Sequence, residues 1–190
     1  DLVRYAKSSG AALLLVGLPP ISANVTTTVA TVPGQFASVW AYRHDIRAAT
    51  QFDIKALLAI SVVGGLIGAA ILMMTPSAVF SGMLPWLMLL ATSIFIFGSF
   101  APKKFLLRFT IGTRAVLAAQ FAIAVYGGYF GAGIVFMMLA ALTLYGMGDI
   151  HAMNGLKLAL ALCMTVVSSA AFVYAGKVYW TEALVMCVAT

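Results

Sequence analysis

The sequence predicts an all-α fold: a polytopic transmembrane helical bundle built from two repeats with glycine-broken helices. Three observations predict it. Of the 190 residues, 63% are hydrophobic and only 8% charged, whereas soluble domains carry about 25% charged residues. The apolar runs are long and continuous, unlike the short alternating segments of a membrane β-barrel. Two polar or glycine-rich interruptions fall inside apolar stretches at corresponding places in the two halves of the chain. Paired interruptions of this kind mark the midplane site of repeat-built carriers.

A span needs about 20 apolar residues. Residues 10–18 (GAALLLVGL) are too few and end at Pro19-Pro20, which breaks a helix. Ser22 to Tyr42 is long enough but carries a polar stripe of Asn24, Thr26, Thr27, Thr28, Thr31 and Gln35. Ala56 to Met74 is a clean span whose Gly64 and Gly68 have the small-xxx-small spacing of a helix packing face. The uncharged stretch 75–82 (TPSAVFSG) reads as a loop, and Met83 to Phe100 as the next span, with Trp86 as an interfacial anchor. Ala115 to Tyr145 is apolar but interrupted by VYGGYFGAG, Val125 to Gly133. A polar break, GMGDIH, precedes a run from Ala152 to Ala175, and a last segment starts at Val178.

The net charge of +6 is concentrated in two basic loops. Loops 43–55 and 101–114, separated by two spans and a neutral loop, are both expected to be cytoplasmic. In a membrane chain the basic excess reports orientation, so nucleic acid is not an expected partner. Cys163 and Cys187 sit in apolar context and read as packed side chains without a disulfide. The whole of 1–190 reads as one transmembrane transporter domain, with repeat one at about 10–100 and repeat two at about 115–190. The absence of an initial Met and the end within an apolar run lead us to expect a chain incomplete at both ends.

The repeat has a sequence trace. With GLPPISANVTTT (Gly17–Thr28) placed over GMGDIHAMNGLK (Gly146–Lys157), Gly17 meets Gly146, Ile21 meets Ile150, Ala23 meets Ala152, and Thr28 falls opposite Lys157. Each stretch follows a short apolar run and precedes a segment of small and polar residues. A helix broken inside the bilayer frees backbone N–H groups, which is tolerated only where they are buried in protein or line a cavity. The start of a half-helix carries partial positive charge and accommodates anions. Gly128, Gly131 and Gly133 are therefore candidate substrate-binding positions, where the backbone turns and a ligand comes close.

Lys157 lies five residues into an apolar run, where its charge is costly, and Asn154 is one turn away on the same face. Together they are candidate substrate contacts, with Thr26, Thr27 and Thr28 as the opposing wall. His151 is a candidate proton relay, and Tyr126 and Gln120 candidate path-lining residues. Each has a plainer alternative: Lys157 reaching the interface, the threonines bonding back to helix carbonyls, and the others packing or capping. The two His and two Cys are scattered, and no H-E-x-x-H, C-x-x-C or G-x-S-x-G occurs. No metal, no cofactor and no enzymatic activity are expected.

GLPPISANVTTT together with VYGGYFGAG, GMGDIHAMNGLK and AFVYAGKVYW resembles the sulfite exporter TauE/SafE family of sulfite and sulfonate permeases. The resemblance covers most of the chain and is strongest from Val125 to Trp180. It implies a helical carrier, typically of seven to nine spans, in a prokaryotic inner (plasma) membrane. It also implies a small anionic substrate such as sulfite, sulfoacetate or another organosulfonate, with protons as the coupling ion. The expected function is thus a secondary transporter for a small anion. A passive anion channel and a non-transporting membrane scaffold subunit remain as alternatives, and a homo-oligomer is compatible with each. Where the family's first half has a glycine cluster, this chain reads RYAKSSGAALLLVG, and Thr26-Thr27-Thr28 stands where a basic residue is common.

Overall fold

The computed structural model describes residues 18–43, 53–100, 112–131, 133–144 and 150–189. Seven helices are described: α1 (Pro20–Ala41), α2 (Ile54–Met74), α3 (Ser77–Phe100), α4 (Thr113–Tyr129), α5 (Ile134–Leu144), α6 (Ile150–Tyr174) and α7 (Trp180–Ala189). Three of them, over Ile54–Met74, Ser77–Ile94 and His151–Tyr174, are long and apolar enough to cross a membrane. The first apolar run up to Gly17, most of the two basic loops (44–52 and 101–111), and the polar break 145–149 lie outside the described residues.

Helix starts follow local chemistry. Pro20 opens α1, where its missing N–H costs nothing. Asp53 caps α2, its side chain accepting from Ala56 N–H at 3.2 Å. The expected loop at 75–82 is corrected. Only Thr75 and Pro76 separate α2 from α3, and Ser77 to Gly82 are already helical. The physical reason is Pro76, which accepts Phe80 N–H at 3.0 Å and starts the new helix at once. α1 and α3 each continue through an internal proline, Pro33 and Pro85.

Contacts fix the direction of each helix. Ser61, Gly64 and Gly68 of α2 meet Gln120, Ala124 and the Val125–Tyr129 backbone of α4 in the same order, so the two helices run parallel. α6 runs the same way: Gly65 lies against Met164, and Leu72 shares a cluster with Phe172. α1 runs oppositely, with Ile21 and Val25 in that same cluster beside the last turns of α2 and α6. α5 runs back along α4, with Ile134 against Gly127 and Leu142 clustered with Val116. α7 leaves the end of α6 and descends beside α1, with Met186 packed by Ala30.

Among the described residues, α2 and α4 approach each other backbone to backbone. A Cβ added to Gly64 would stand 2.5 Å from the Ala124 Cβ, and one added to Gly68 would overlap Val125 O. From the other side, a Cβ on Gly128 would overlap Gly65 O. Glycines here let two backbones touch, which supplies packing where lipid offers no hydrophobic drive between helices. A buried bond seals the crossing: Gln120 Nε2 donates to Ser61 Oγ at 2.8 Å, and Ser61 donates to Leu57 O at 2.7 Å. An interhelical bond of this kind contributes about 0.6 kcal/mol and at most about 1.7.

This contact also sets how far α4 travels. α4 has 17 residues and ends beside Gly68. α2 continues for six residues more, about 9 Å, before its own turn at Thr75. The α4–α5 turn therefore lies inside the bundle, below the end formed by Thr75 and by the start of α1.

Gly68→Val is expected to lower unfolding stability in detergent by about 1–3 kcal/mol through overpacking. Gly82→Ala, in a helix at a position with nothing within 4 Å, is expected to keep the unfolding midpoint or raise it, by up to about 1 kcal/mol of stability. Equal midpoints for both variants would mean that α2 and α4 do not touch.

Candidate functional site

Where α4 ends, the chain takes a conformation open mainly to glycine. Phe130 N–H donates to Tyr126 O at 2.8 Å, and Gly131 and Gly133 follow with φ of +76° and +79°. In this left-handed region a side chain costs about 1–2 kcal/mol per residue. α5 then starts at Ile134, its first N–H groups without intrahelical carbonyl partners. Gly127 and Gly128, by contrast, are ordinary residues within α4.

The turn faces α1 across a cavity of about 480 Å³. The α1 wall is a polar stripe: Asn24, Thr27, Thr28, Thr31 and Gln35. Their spacing of three and four residues puts them on one helical face. The α6 wall adds Thr165 and Ser168. Gly127, Phe130, Gly131 and Ile134 form the turn side, and Phe80, Leu84 and Met88 of α3 close an apolar side. One side of the lining thus carries hydroxyl and amide groups, while most of its surface is hydrocarbon and aromatic.

Hydrogen bonds hold this arrangement. Asn24 Nδ2 donates to Tyr129 O at 3.4 Å, tying α1 to the last turn of α4. Thr27 and Thr28 donate to Ala23 O and Asn24 O at 2.8 Å, and Thr31 donates to Thr28 O at 2.9 Å. Thr165 donates to Ala161 O at 2.8 Å, and Ser168 crosses to Gly65 O of α2 at 3.2 Å. Gln35 Oε1 is buried with no hydrogen-bond partner. Behind the turn, Phe80 meets the rings of Tyr129 and Phe130 at 5.8 and 6.5 Å, and Tyr126 packs edge-on to Phe130 at 5.9 Å. Tyr126 OH also donates to Leu87 O at 3.0 Å, so the α4 end is tied to α3 as well.

The structure brings some of the sequence candidates together and separates others. Thr27, Thr28 and Gly131 share the cavity; a Cβ on Gly131 would lie 3.7 Å from Thr28 Oγ1. Thr26 is on the other face of α1, fully buried, and accepts Tyr179 N–H at 3.3 Å at the start of α7. Gly128 is in the α2–α4 contact, and Gly133 abuts Ala91 of α3. Gln120 is committed to Ser61 and Tyr126 to Leu87, so both brace helices and do not line the cavity. Lys157 and Asn154 lie outside the cavity and bond each other, Nζ to Oδ1, at 2.8 Å. They share a face of α6 with Thr165 and Ser168, and Lys157 precedes Thr165 by eight residues, about 12 Å along the axis. His151 is exposed in the first turn of α6.

Sequence reasoning missed Asn24, Thr31, Gln35, Thr165 and Ser168 as cavity residues. The signal for the first three was present in their shared helical face. Thr165 and Ser168 gave none, because hydroxyls in apolar helices usually bond the preceding turn. Among the described residues no group of three or more His, Cys, Asp or Glu could hold a metal, and Cys163 and Cys187 are both free thiols.

Comparison with known proteins gives a match to the family described as sulfite exporter TauE/SafE, over residues 9–190. No curated protein and no solved structure matches the chain.

With Cys163 and Cys187 first replaced by Ser, Thr28→Cys and Gln35→Cys are expected to react with a small water-soluble thiosulfonate, and Thr26→Cys to resist it. The check is mass spectrometry of the intact protein. Equal labelling of all three would move the aqueous cavity elsewhere.

Proposed function

The chain belongs to the sulfite exporter TauE/SafE family, whose members are integral membrane transporters of small anions such as sulfite and not enzymes, and on that premise we propose a secondary carrier that binds its substrate between α1 and the α4–α5 turn. One observation carries the proposal. A left-handed glycine turn ends one helix and starts another inside the bundle, opposite a stripe of amide and hydroxyl groups. Irregular backbone at that depth is tolerated where it lines a cavity. The start of α5 contributes roughly half a positive charge toward it.

The substrate is a sulfur oxyanion or an organosulfonate. Its charged end meets the N–H groups of the turn, Gly131 among them, and the second N–H of Asn24 Nδ2, with the hydroxyl oxygens of Thr27 and Thr28 beside them as acceptors. The hydrocarbon of a sulfonate fits the apolar side, Phe80, Leu84 and Met88. Asn154 and Lys157 supply a second polar station on the same face of α6, nearer its start, and His151 stands at the end of that path.

Two inverted repeats account for the packing. α1 and α6 run in opposite directions and touch, α1 packs on α7, and α6 packs on α2. If α1 corresponds to α6 and α2 to α7, the last two contacts exchange, as a two-fold axis in the membrane plane requires. Alternating access is then a rocking of one repeat against the other. The membrane is a bacterial inner membrane, with loops 43–55 and 101–114 cytoplasmic and the Thr75–Pro76 turn external. Protons drive the cycle.

The test is thermal stability in detergent with sulfite, thiosulfate, sulfoacetate, taurine and sulfate, since a ligand at 100 times its Kd stabilises by about 2.7 kcal/mol. The transported anion is expected to raise the melting temperature of wild type. The shift is expected to fall at least tenfold in apparent affinity with Thr28→Val, and less with Lys157→Ala. A larger loss with Lys157→Ala would move the site to the start of α6. Exchange in liposomes that does not saturate would mean a channel. No response to any anion in either assay would leave a scaffold subunit.

A further inference from the structure

The cavity has a polar stripe on a largely apolar surface, and the described part of that stripe is uncharged. Among the described residues its lining contains no Lys, Arg, His, Asp or Glu. The ionisable groups around it are all turned elsewhere or distant. On α4, Tyr126 and Tyr129 direct their hydroxyls to Leu87 O and Met83 Sδ on α3. On α6, Lys157 is held back toward the helix start by Asn154, Cys163 is absent from the lining, and His151 is in the first turn. Lys177, after α6, donates to Met73 O at 3.4 Å, and Tyr179 follows it, both in a separate surface pocket. α1, α3 and α5 bring no ionisable side chain to the lining.

Its hydrogen-bond inventory is also lopsided. The four threonine hydroxyls and that of Ser168 all donate their protons to backbone carbonyls. What they offer a ligand is oxygen lone pairs. Gln35 adds a buried acceptor with no partner. The donors left are amide N–H groups, the second one of Asn24 Nδ2 and those of Gln35 Nε2, and the remaining positive potential is the start of α5, roughly half a charge. A doubly charged oxyanion would enter with about 1.5 charges uncompensated and with its oxygens facing acceptors. A singly charged oxyanion that keeps a proton loses far less hydration, and its O–H finds an acceptor in the stripe.

We infer that the cavity selects the singly charged form of its substrate, hydrogen sulfite over the sulfite dianion, so that the transported proton rides on the substrate. The inference rests on the carrier reading above. From either face HO–SO2⁻ enters the cavity intact. After release it gives SO3²⁻ and H⁺ to the bulk, so one proton and one net negative charge cross per cycle. No carboxylate or histidine relay inside the cavity is needed.

The test is exchange of labelled sulfite by the purified protein in liposomes, at equal pH on both faces, stepped across the pH at which hydrogen sulfite loses its proton. Methanesulfonate, a permanent single anion, and sulfate, a double anion, serve as competitors. Exchange at constant total sulfite is expected to fall about tenfold per pH unit above that point, with the hydrogen sulfite fraction. Methanesulfonate is expected to compete at least tenfold more strongly than sulfate. Gln35→Lys, which puts a cation in the cavity, is expected to narrow that gap. Exchange that is flat or rises with pH, or sulfate competing as well as methanesulfonate in wild type, overturns the inference and leaves the carrier intact. Absence of exchange with sulfite at every pH overturns the carrier reading itself.

Discussion

The contact between α2 and α4 is the constraint from which the rest follows. Gly64, Gly65 and Gly68 on one side and Ala124 and Gly128 on the other bring two backbones together. Without side chains between them the helices are locked in register, and the Gln120–Ser61 bond adds polar specificity to that register. The end of α4 is thereby pinned next to Gly68. Everything at the site depends on that height: where the turn falls, which part of α1 it faces, and which residues of α3 pack behind it.

Gly131 and Gly133 act differently from the glycines before them. Gly127 and Gly128 remain helical and serve contact, whereas the two later ones adopt a backbone shape that side chains resist. A cluster that looks uniform in sequence therefore divides in two. The first pair fits α4 against its neighbours, and the second pair reverses the chain. The aromatic rings of Phe80, Tyr126, Tyr129 and Phe130 then fill the space beside the reversal, replacing lipid with protein around exposed backbone.

Much of this was legible in the sequence. The helical bundle could be read from its apolar runs, while the glycines and threonines only drew notice to the stretch between α4 and α5 and to α1. Register was harder. Thr26, Thr27 and Thr28 are neighbours in sequence, yet a helix advances 100° per residue and sends Thr26 to the α7 side. Lys157 drew notice because charge is conspicuous in an apolar run, but the helix carries it two turns from the cavity and gives it Asn154 as partner. Thr165 and Ser168 were silent because nothing local separates a hydroxyl that faces a cavity from one that bonds its own helix. Pro76 was read as part of a loop when it begins a helix, since proline punctuates both.

The short return of the chain at Gly131 has a topological consequence. Val116 near the start of α4 and Leu142 near the end of α5 belong to one cluster with Leu57, so both helices open and close on the same face of the bundle. The pair enters and leaves without reaching the far side, and it adds an even number to the parity of crossings. Counting 115–145 as a single traverse would invert every later segment. α6 would start from the opposite end of the bundle, and Lys177 would be assigned to the end where Asp53 stands. The direction in which α6 runs through the bundle therefore depends on two left-handed glycines rather than on the length of an apolar run.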